Sequence, residues 1–224
     1  LERGFRGVEV DVFLVDGTLR VGHDRHQARA GATFEALYLA SLLTLVTRCR
    51  TLTMDGRPFF LAVEFKEQSR AAYDALVQLL SSYHALFVRP AAEASVRHPA
   101  VEVVLVGWHP ADAPSIRGAD SLIRLQYRLT HPGRLALHDP EGRVRLVTVD
   151  FGKTVGRRWR RPVQRERWIA TLRSVKEVPG RLLLRVHNVP PDALLYALLL
   201  EAGVDFIGTK HLARTQRLLS PMTR

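Results

Sequence analysis

Cysteine is almost absent. Cys49 is the one thiol in 224 residues, so neither an internal disulfide framework nor a cysteine-rich zinc centre can be built. Long hydrophobic runs are missing too, and no stretch is long enough to span a bilayer. No secretory leader pattern is present in the sequence. Acidic residues are scarce beside basic ones: 22 Asp and Glu stand against 33 Lys and Arg, a formal net charge of +11. That excess favours anionic partners such as phospholipid surfaces, phosphate esters or nucleic acid. Arginine supplies most of it, which GC-rich coding would also produce. Core material is not lacking. Hydrophobic residues make up 46% of the chain, which argues against disorder. The length fits a single domain, 1–224, with a sizeable core.

Residues 7–15 read as a strand, because Val8, Val10 and Val12 alternate with Glu9 and Asp11. Asp16-Gly17 makes a turn, and Leu19 to Val21 a short hairpin return. Thr33 is the expected N-cap of a helix from Phe34 to about Arg50, with Leu37, Tyr38, Leu42, Leu45 and Val46 at helical spacing. Asp55-Gly56-Arg57-Pro58 is a loop. Further strands are expected at Phe59–Phe65, Val101–Val106, Ser121–Leu125, Leu146–Phe151, Arg181–Val186 and Val204–Ile207. Helices are expected at 69–82, Gln164–Val175, Pro191–Ala202 and His211–Leu219. Strands alternating with helices predict an α/β fold with a parallel sheet covered by helices. Seven such strands are one short of a TIM (β/α)8 barrel. Leu1-Glu2-Arg3-Gly4 has the look of a helix tail with a C-terminal glycine, so a first strand is expected ahead of Leu1.

Glu9 and Asp11 lie two apart on a strand, so their side chains share a face. With the valines packed on the helices, the two carboxylates are expected to point into the barrel near its C-terminal mouth, where groups so close repel unless a proton or cation shares the site; a hard divalent cation answers that need. An ordinary amphipathic strand with its acids in water is the alternative. Gly22-His23-Asp24 follows. His23 can move protons near neutral pH; Asp24 either orients it or caps the loop. Glu64 and Lys66 share a face of the second strand. Glu64 is a candidate third oxygen ligand, and Lys66 either meets a phosphate oxygen or forms an ion pair with Glu64.

The order Glu9-x-Asp11, Gly22-His23-Asp24 and Glu64-x-Lys66 resembles the phospholipase C-like phosphodiesterase superfamily, which includes glycerophosphodiester phosphodiesterases and sphingomyelinase D-like enzymes. Val10 to Asp24, Thr33 to Leu43, and Phe151-Gly152-Lys153-Thr154-Val155-Gly156 are most similar to its altered inheritance of mitochondria protein 6 branch. Glu201 to Thr209 resembles the family's last strand. The resemblance implies that Glu9, Asp11 and Glu64 are metal ligands for one divalent cation, Mg2+ or Ca2+. It implies that His23 is one of two acid/base histidines, the other lying ahead of Leu1, and that Lys66 is the lysine after the third carboxylate. Lys210 departs from the pattern, standing where an aspartate is usual.

The expected activity is therefore phosphoric diester hydrolysis on a glycerophosphodiester or phospholipid-type substrate. The alternatives are a sphingomyelinase D-like lyase outcome and a barrel that binds anionic lipid or phosphate without turnover. The basic run from Lys153 to Arg167 carries Arg157, Arg158, Arg160, Arg161, Arg165 and Arg167, with Trp159 and Trp168 interleaved. It reads as a loop suited to a headgroup or an anionic membrane surface, or as a solvated loop leading into a helix. Nucleic acid rests on charge alone and is the weaker partner. Lys153, Trp108 and His187 are the candidate phosphate or substrate contacts, and His109 and Asn188 are candidate pocket residues. A monomer is expected. The compartment is open, with export or the cell envelope as one reading.

Overall fold

The computed structural model describes residues 5–49, 52–53, 57–87, 100–111, 122–129, 144–177 and 182–220. The expected helix tail at Leu1–Gly4, the Asp55-Gly56 turn and the strand starts at Ser121 and Arg181 lie outside the described residues. The chain divides into two compact units, Leu1–Leu125 and Gln126–Arg224.

In the first unit, β1 (Gly7–Val15) and β2 (Thr18–Val21) form the hairpin, with Val15 opposite Thr18 and Val12 opposite Val21. Asp16 and Gly17 both take positive φ, 47° and 74°, as a two-residue hairpin turn with the native twist requires. β3 (Phe59–Phe65) and β4 (Val101–Val106) then add in parallel, followed by the start of β5 (Ile123–Leu129). The order is β2-β1-β3-β4-β5. β4 is buried along its whole length, Glu102 included, which is why its other five positions are all apolar instead of alternating.

Among the described residues of this unit, three α-helices accompany the strands. α1 (Arg25–Ala30) is an element the sequence pattern did not suggest, because only Ala28 is buried on it. The helix expected from Phe34 is present as a π-helical turn over Glu35–Leu39, running into α2 (Ala40–Cys49). The amide of Ala40 reaches Glu35 O, one residue further back than in an α-helix. α3 (Arg70–Ser82) buries Ala72, Tyr73, Leu76 and Leu80, and Ser69 Oγ caps it by accepting from the Ala72 amide at 3.2 Å. Such a cap contributes about 1 kcal/mol.

In the second unit, β6 (Val144–Asp150), β7 (Leu183–His187) and β8 (Phe206–Ile207) run parallel in that order. The segment expected as a basic loop is largely helical. It holds α4 (Phe151–Thr154), a 3-10 turn (Gly156–Arg160) and α5 (Pro162–Glu177). Phe151 opens α4 instead of closing β6, because the Asp150 carboxylate accepts from the Lys153 amide and caps the new helix. α6 (Ala193–Glu201) and α7 (Leu212–Leu219) complete the unit. β8 begins later than expected. The amides of Gly203 and Val204 are still bonded to the Leu200 and Leu199 carbonyls at the end of α6, so they do not join the ladder. The core here gathers Val147, Val149, Leu172, Leu184, Val186, Tyr196 and Leu199 with both tryptophans, Trp159 and Trp168.

Candidate functional site

The first unit carries an acidic site built from the first half and middle of β1 and the C-terminal end of β3. Val10 and Val12 are buried, as the alternation predicts, which turns Glu9 and Asp11 to the other face. The parallel register sets Asp11 beside Glu64. Glu9, Asp11 and Glu64 each bring a carboxylate oxygen to within 4.8 Å of the others. Glu9 is exposed, and Asp11 and Glu64 are half-buried, so the site is open on one side. The Glu64 carboxyl lies above the ordinary value, mainly through burial. The Lys66 charge opposes that rise, and the Asp11 and Glu9 charges add to it. Oxygen-only donors gathered around a carboxyl of raised proton affinity fit a hard cation, which would take the place of the proton.

Lys66 Nζ stands 3.4 Å from Glu64 Oε2 and 3.5 Å from Asp11 Oδ2. Of the two sequence expectations for Lys66, the ion pair with Glu64 is the one this geometry shows, and Asp11 shares it. Gly107 follows β4 with φ of 81°, and a Cβ there would lie 3.7 Å from Glu64 Oε1. Glycine thus supplies the backbone conformation and keeps this flank of Glu64 open. Trp108 next to it is half-buried and packs edge-on against Phe65, centroids 6.4 Å apart. His109 Nδ1 lies 3.0 Å from the Pro110 carbonyl oxygen.

His23 reaches the site through its neighbours in sequence. The Gly22 amide donates to Asp11 O at 3.1 Å, which brings the chain back over β1 after the hairpin. A Cβ on Gly22 would sit 2.4 Å from the Ala28 nitrogen, so only glycine allows α1 to approach so closely. Asp24 takes one of its two expected roles. Its side chain caps α1 by accepting from the Gln27 amide at 2.8 Å. The residue that orients His23 is Asp11, whose Oδ2 is 2.7 Å from His23 Nδ1. The His23 ring is otherwise exposed, its side chain 76% accessible. Tyr38 was not singled out from the sequence. Its phenol is raised above the ordinary value by burial and by the Asp11 charge, which puts it in electrostatic reach of the site. A tyrosine inside a helical repeat carries no signal of that.

The other candidates, Lys153 and His187, lie in the second unit around Asp150. Asp150 and His187 are register partners on β6 and β7. Asp150 Oδ2 accepts from Asn188 Nδ2 at 3.1 Å and lies 3.4 Å from His187 Nε2. Asp150 Oδ1 accepts from the Lys153 amide at 3.0 Å. Burial alone would raise the Asp150 carboxyl. The Lys153 amide, the Asn188 side chain and the positive character of His187 and Lys153 outweigh it and hold the carboxyl below the ordinary range. Asn188 holds a positive φ of 58°. Asp150 was missed in the sequence, though an aspartate closing a strand three residues before a lysine amide is a helix-cap pattern. The interleaved tryptophans are corrected as well. Trp159 and Trp168 are 3% and 4% exposed, so neither ring faces a headgroup or a base.

Neither a scan against protein-family models nor a search of the curated proteins finds a match. Among solved structures, the chain is similar to a glycerophosphodiester phosphodiesterase from Agrobacterium tumefaciens str. C58. The TM-score is 0.53 at 17% identity, over 98% of this chain and 88% of that one. At that identity the likeness speaks for architecture: the chain has an α/β fold of the TIM (β/α)8 kind, shared with a glycerophosphodiester phosphodiesterase.

Proposed function

We propose that this chain is a metal-dependent phosphoric diester hydrolase acting on a glycerophosphodiester or phospholipid-type substrate. The observation that carries the reading is the convergence of Glu9, Asp11 and Glu64 within 4.8 Å, with His23 hydrogen-bonded to Asp11. The fold it shares with a glycerophosphodiester phosphodiesterase supports the same class. The nearer likeness to the altered inheritance branch rests on the sequence motifs.

Glu9, Asp11 and Glu64 would hold one divalent cation, Mg2+ or Ca2+. When bound, such an ion polarises a phosphate oxygen and offsets developing negative charge. Asp11 has lone pairs enough to serve His23 as well. With Nδ1 engaged by Asp11, Nε2 is the ring atom of His23 that exchanges a proton with the nucleophile or the leaving oxygen. Lys66 supplies a fixed positive charge beside the carboxylates, available to a phosphate oxygen once a cation relieves it. Trp108, held on edge by Phe65, presents an apolar wall to the substrate. Lys153 and His187 are engaged by Asp150 in the second unit, and no part of this reading rests on them.

The test is a calorimetric titration of Mg2+ and of Ca2+ into the wild type, Glu9→Gln and Glu64→Gln. It is paired with product release from glycerophosphocholine with and without metal. Both variants are expected to bind metal more weakly and to lose turnover. If neither change weakens metal binding, the reading fails. A cyclic phosphate product marks the lyase variant. The Lys66 ammonium already standing between Asp11 and Glu64 favours a second reading, phosphate binding without turnover. Saturable phosphate binding with no product under any metal supports it.

A further inference from the structure

The arginine-rich part of the second unit is built differently from an ordinary solvated segment. From Lys153 to Arg167 there are seven basic residues, and Glu166 is the single acid. Arg157, Arg158, Arg160, Arg161 and Arg167 are exposed, and Arg165 is half-buried. Among the described residues none of the six forms an ion pair. Arg158 donates only to the Thr154 and Val155 carbonyls, and Arg160 lies over the Trp159 ring at 5.0 Å. The scaffold beneath them is rigid. Trp159 and Trp168 are buried, Trp168 Nε1 donates to Thr154 Oγ1 at 3.2 Å, and its ring meets Phe151 edge-on at 5.6 Å. Val163, 53% exposed, lies within the run on the outward side of α5, opposite the buried Trp168, Ile169 and Leu172.

Six arginines without an acidic partner, fixed on one short stretch, repel one another unless an anionic partner meets them. With both tryptophans buried, the surface offers no ring on which a base can stack, the main device for holding single-stranded nucleic acid. What remains is a set of point charges around one exposed aliphatic side chain, which suits a headgroup layer with shallow apolar contact. We propose that the exposed stretch carrying Arg157, Arg158, Arg160, Arg161, Val163 and Arg167 docks the protein on an anionic lipid bilayer. This inference does not depend on the acidic site of the first unit and stands or falls separately from it.

The experiment is co-sedimentation with phosphatidylcholine vesicles, with and without 30% phosphatidylserine, across a salt series, using the triple variant Arg157→Gln, Arg161→Gln, Arg167→Gln. Among the described residues the exposed side chains of these three arginines make no hydrogen bond, ion pair or ring contact that their loss would break. A charge-matched control, Arg29→Gln, Arg214→Gln, Arg217→Gln, removes the same charge from exposed positions elsewhere. Wild type and control are expected to sediment with the anionic vesicles and not with the neutral ones, and salt should release them. The triple variant should bind roughly a hundredfold more weakly, at about fivefold per arginine. Equal binding to neutral vesicles overturns the proposal, as does equal loss in the control and the triple variant. Tighter binding of duplex DNA or RNA than of anionic vesicles at the same salt also overturns it and makes the surface a nucleic-acid one.

Discussion

Two clusters in this molecule are made from the same ingredients and come out electrostatically opposite. In each, an aspartate on a strand with a parallel neighbour meets a histidine, with a lysine close by. Around Asp150 every interaction but burial favours the charged form. The Lys153 amide caps, Asn188 donates, and His187 and Lys153 add positive character, so the carboxyl is pulled below its ordinary range. Around Glu64 burial is joined by two like charges, and Lys66 alone opposes them. The first cluster is complete as it stands. In the second the balance at Glu64 runs toward the neutral form. A carboxyl raised by burial and by two neighbouring carboxylates marks a candidate ligand place, whereas a carboxylate with its donors in place marks a joint in the fold.

The sharpest way to break this contrast is to remove two carboxylates at once. Glu9→Gln combined with Glu64→Gln should abolish saturable binding of Mg2+ or Ca2+ by calorimetry. That is a loss beyond the roughly hundredfold that changes outside the ligand shell cause. The same double change should leave the second unit's core intact, read by near-ultraviolet dichroism of Trp159 and Trp168. Next in size, His23→Ala should lower kcat on a phosphodiester by about a hundredfold to ten-thousandfold while metal affinity stays within a few-fold. A parallel loss of metal affinity would make His23 a support for Asp11 instead of a proton carrier.

Asp150→Ala tests the other side. It should cost about 1–2 kcal/mol of stability by removing the α4 cap and the Asn188 bond, with metal affinity unchanged. Because the folded Asp150 carboxyl is depressed, that cost is present above the ordinary carboxyl range and fades as pH falls through the depressed value; urea titrations at several pH values follow it. The smallest effect is that of Glu64→Gln on the metal-free protein. The folded Glu64 carboxyl is raised, so its contribution is present below the ordinary range and is lost as pH rises through the raised value. The variant should therefore lose less melting temperature than wild type between about pH 4 and 7. Added metal should raise the melting temperature of wild type far more than that of the variant.

The sequence carried a large part of this. Alternation of period two in residues 7–15 was enough to turn Glu9 and Asp11 to one face and Val10 and Val12 to the other, because strand geometry is local. The hairpin at Asp16-Gly17 was equally legible, since positive φ at both positions suits few residue pairs. The strand order around Phe59–Phe65 and Val101–Val106, and the closeness of Glu64 to Asp11, followed from the motif order and are borne out by the register.

What tertiary structure decided is of another kind. Whether Asp24 orients His23 or caps a helix depends on α1, a helix with one buried residue and therefore no periodic signal; once it forms, Asp24 caps it and Asp11 holds His23. Whether Trp159 and Trp168 face solvent depends on the core they join, and an aromatic between arginines reads the same in either case. Lys153 and Asp150 meet because the strand ends one residue earlier than hydrophobicity suggests and a helix starts at Phe151, where a loop was expected. Local geometry is written in neighbouring residues. Partner choice is set by which atoms, distant in sequence, arrive within about 3 Å, and that depends on packing of the whole chain.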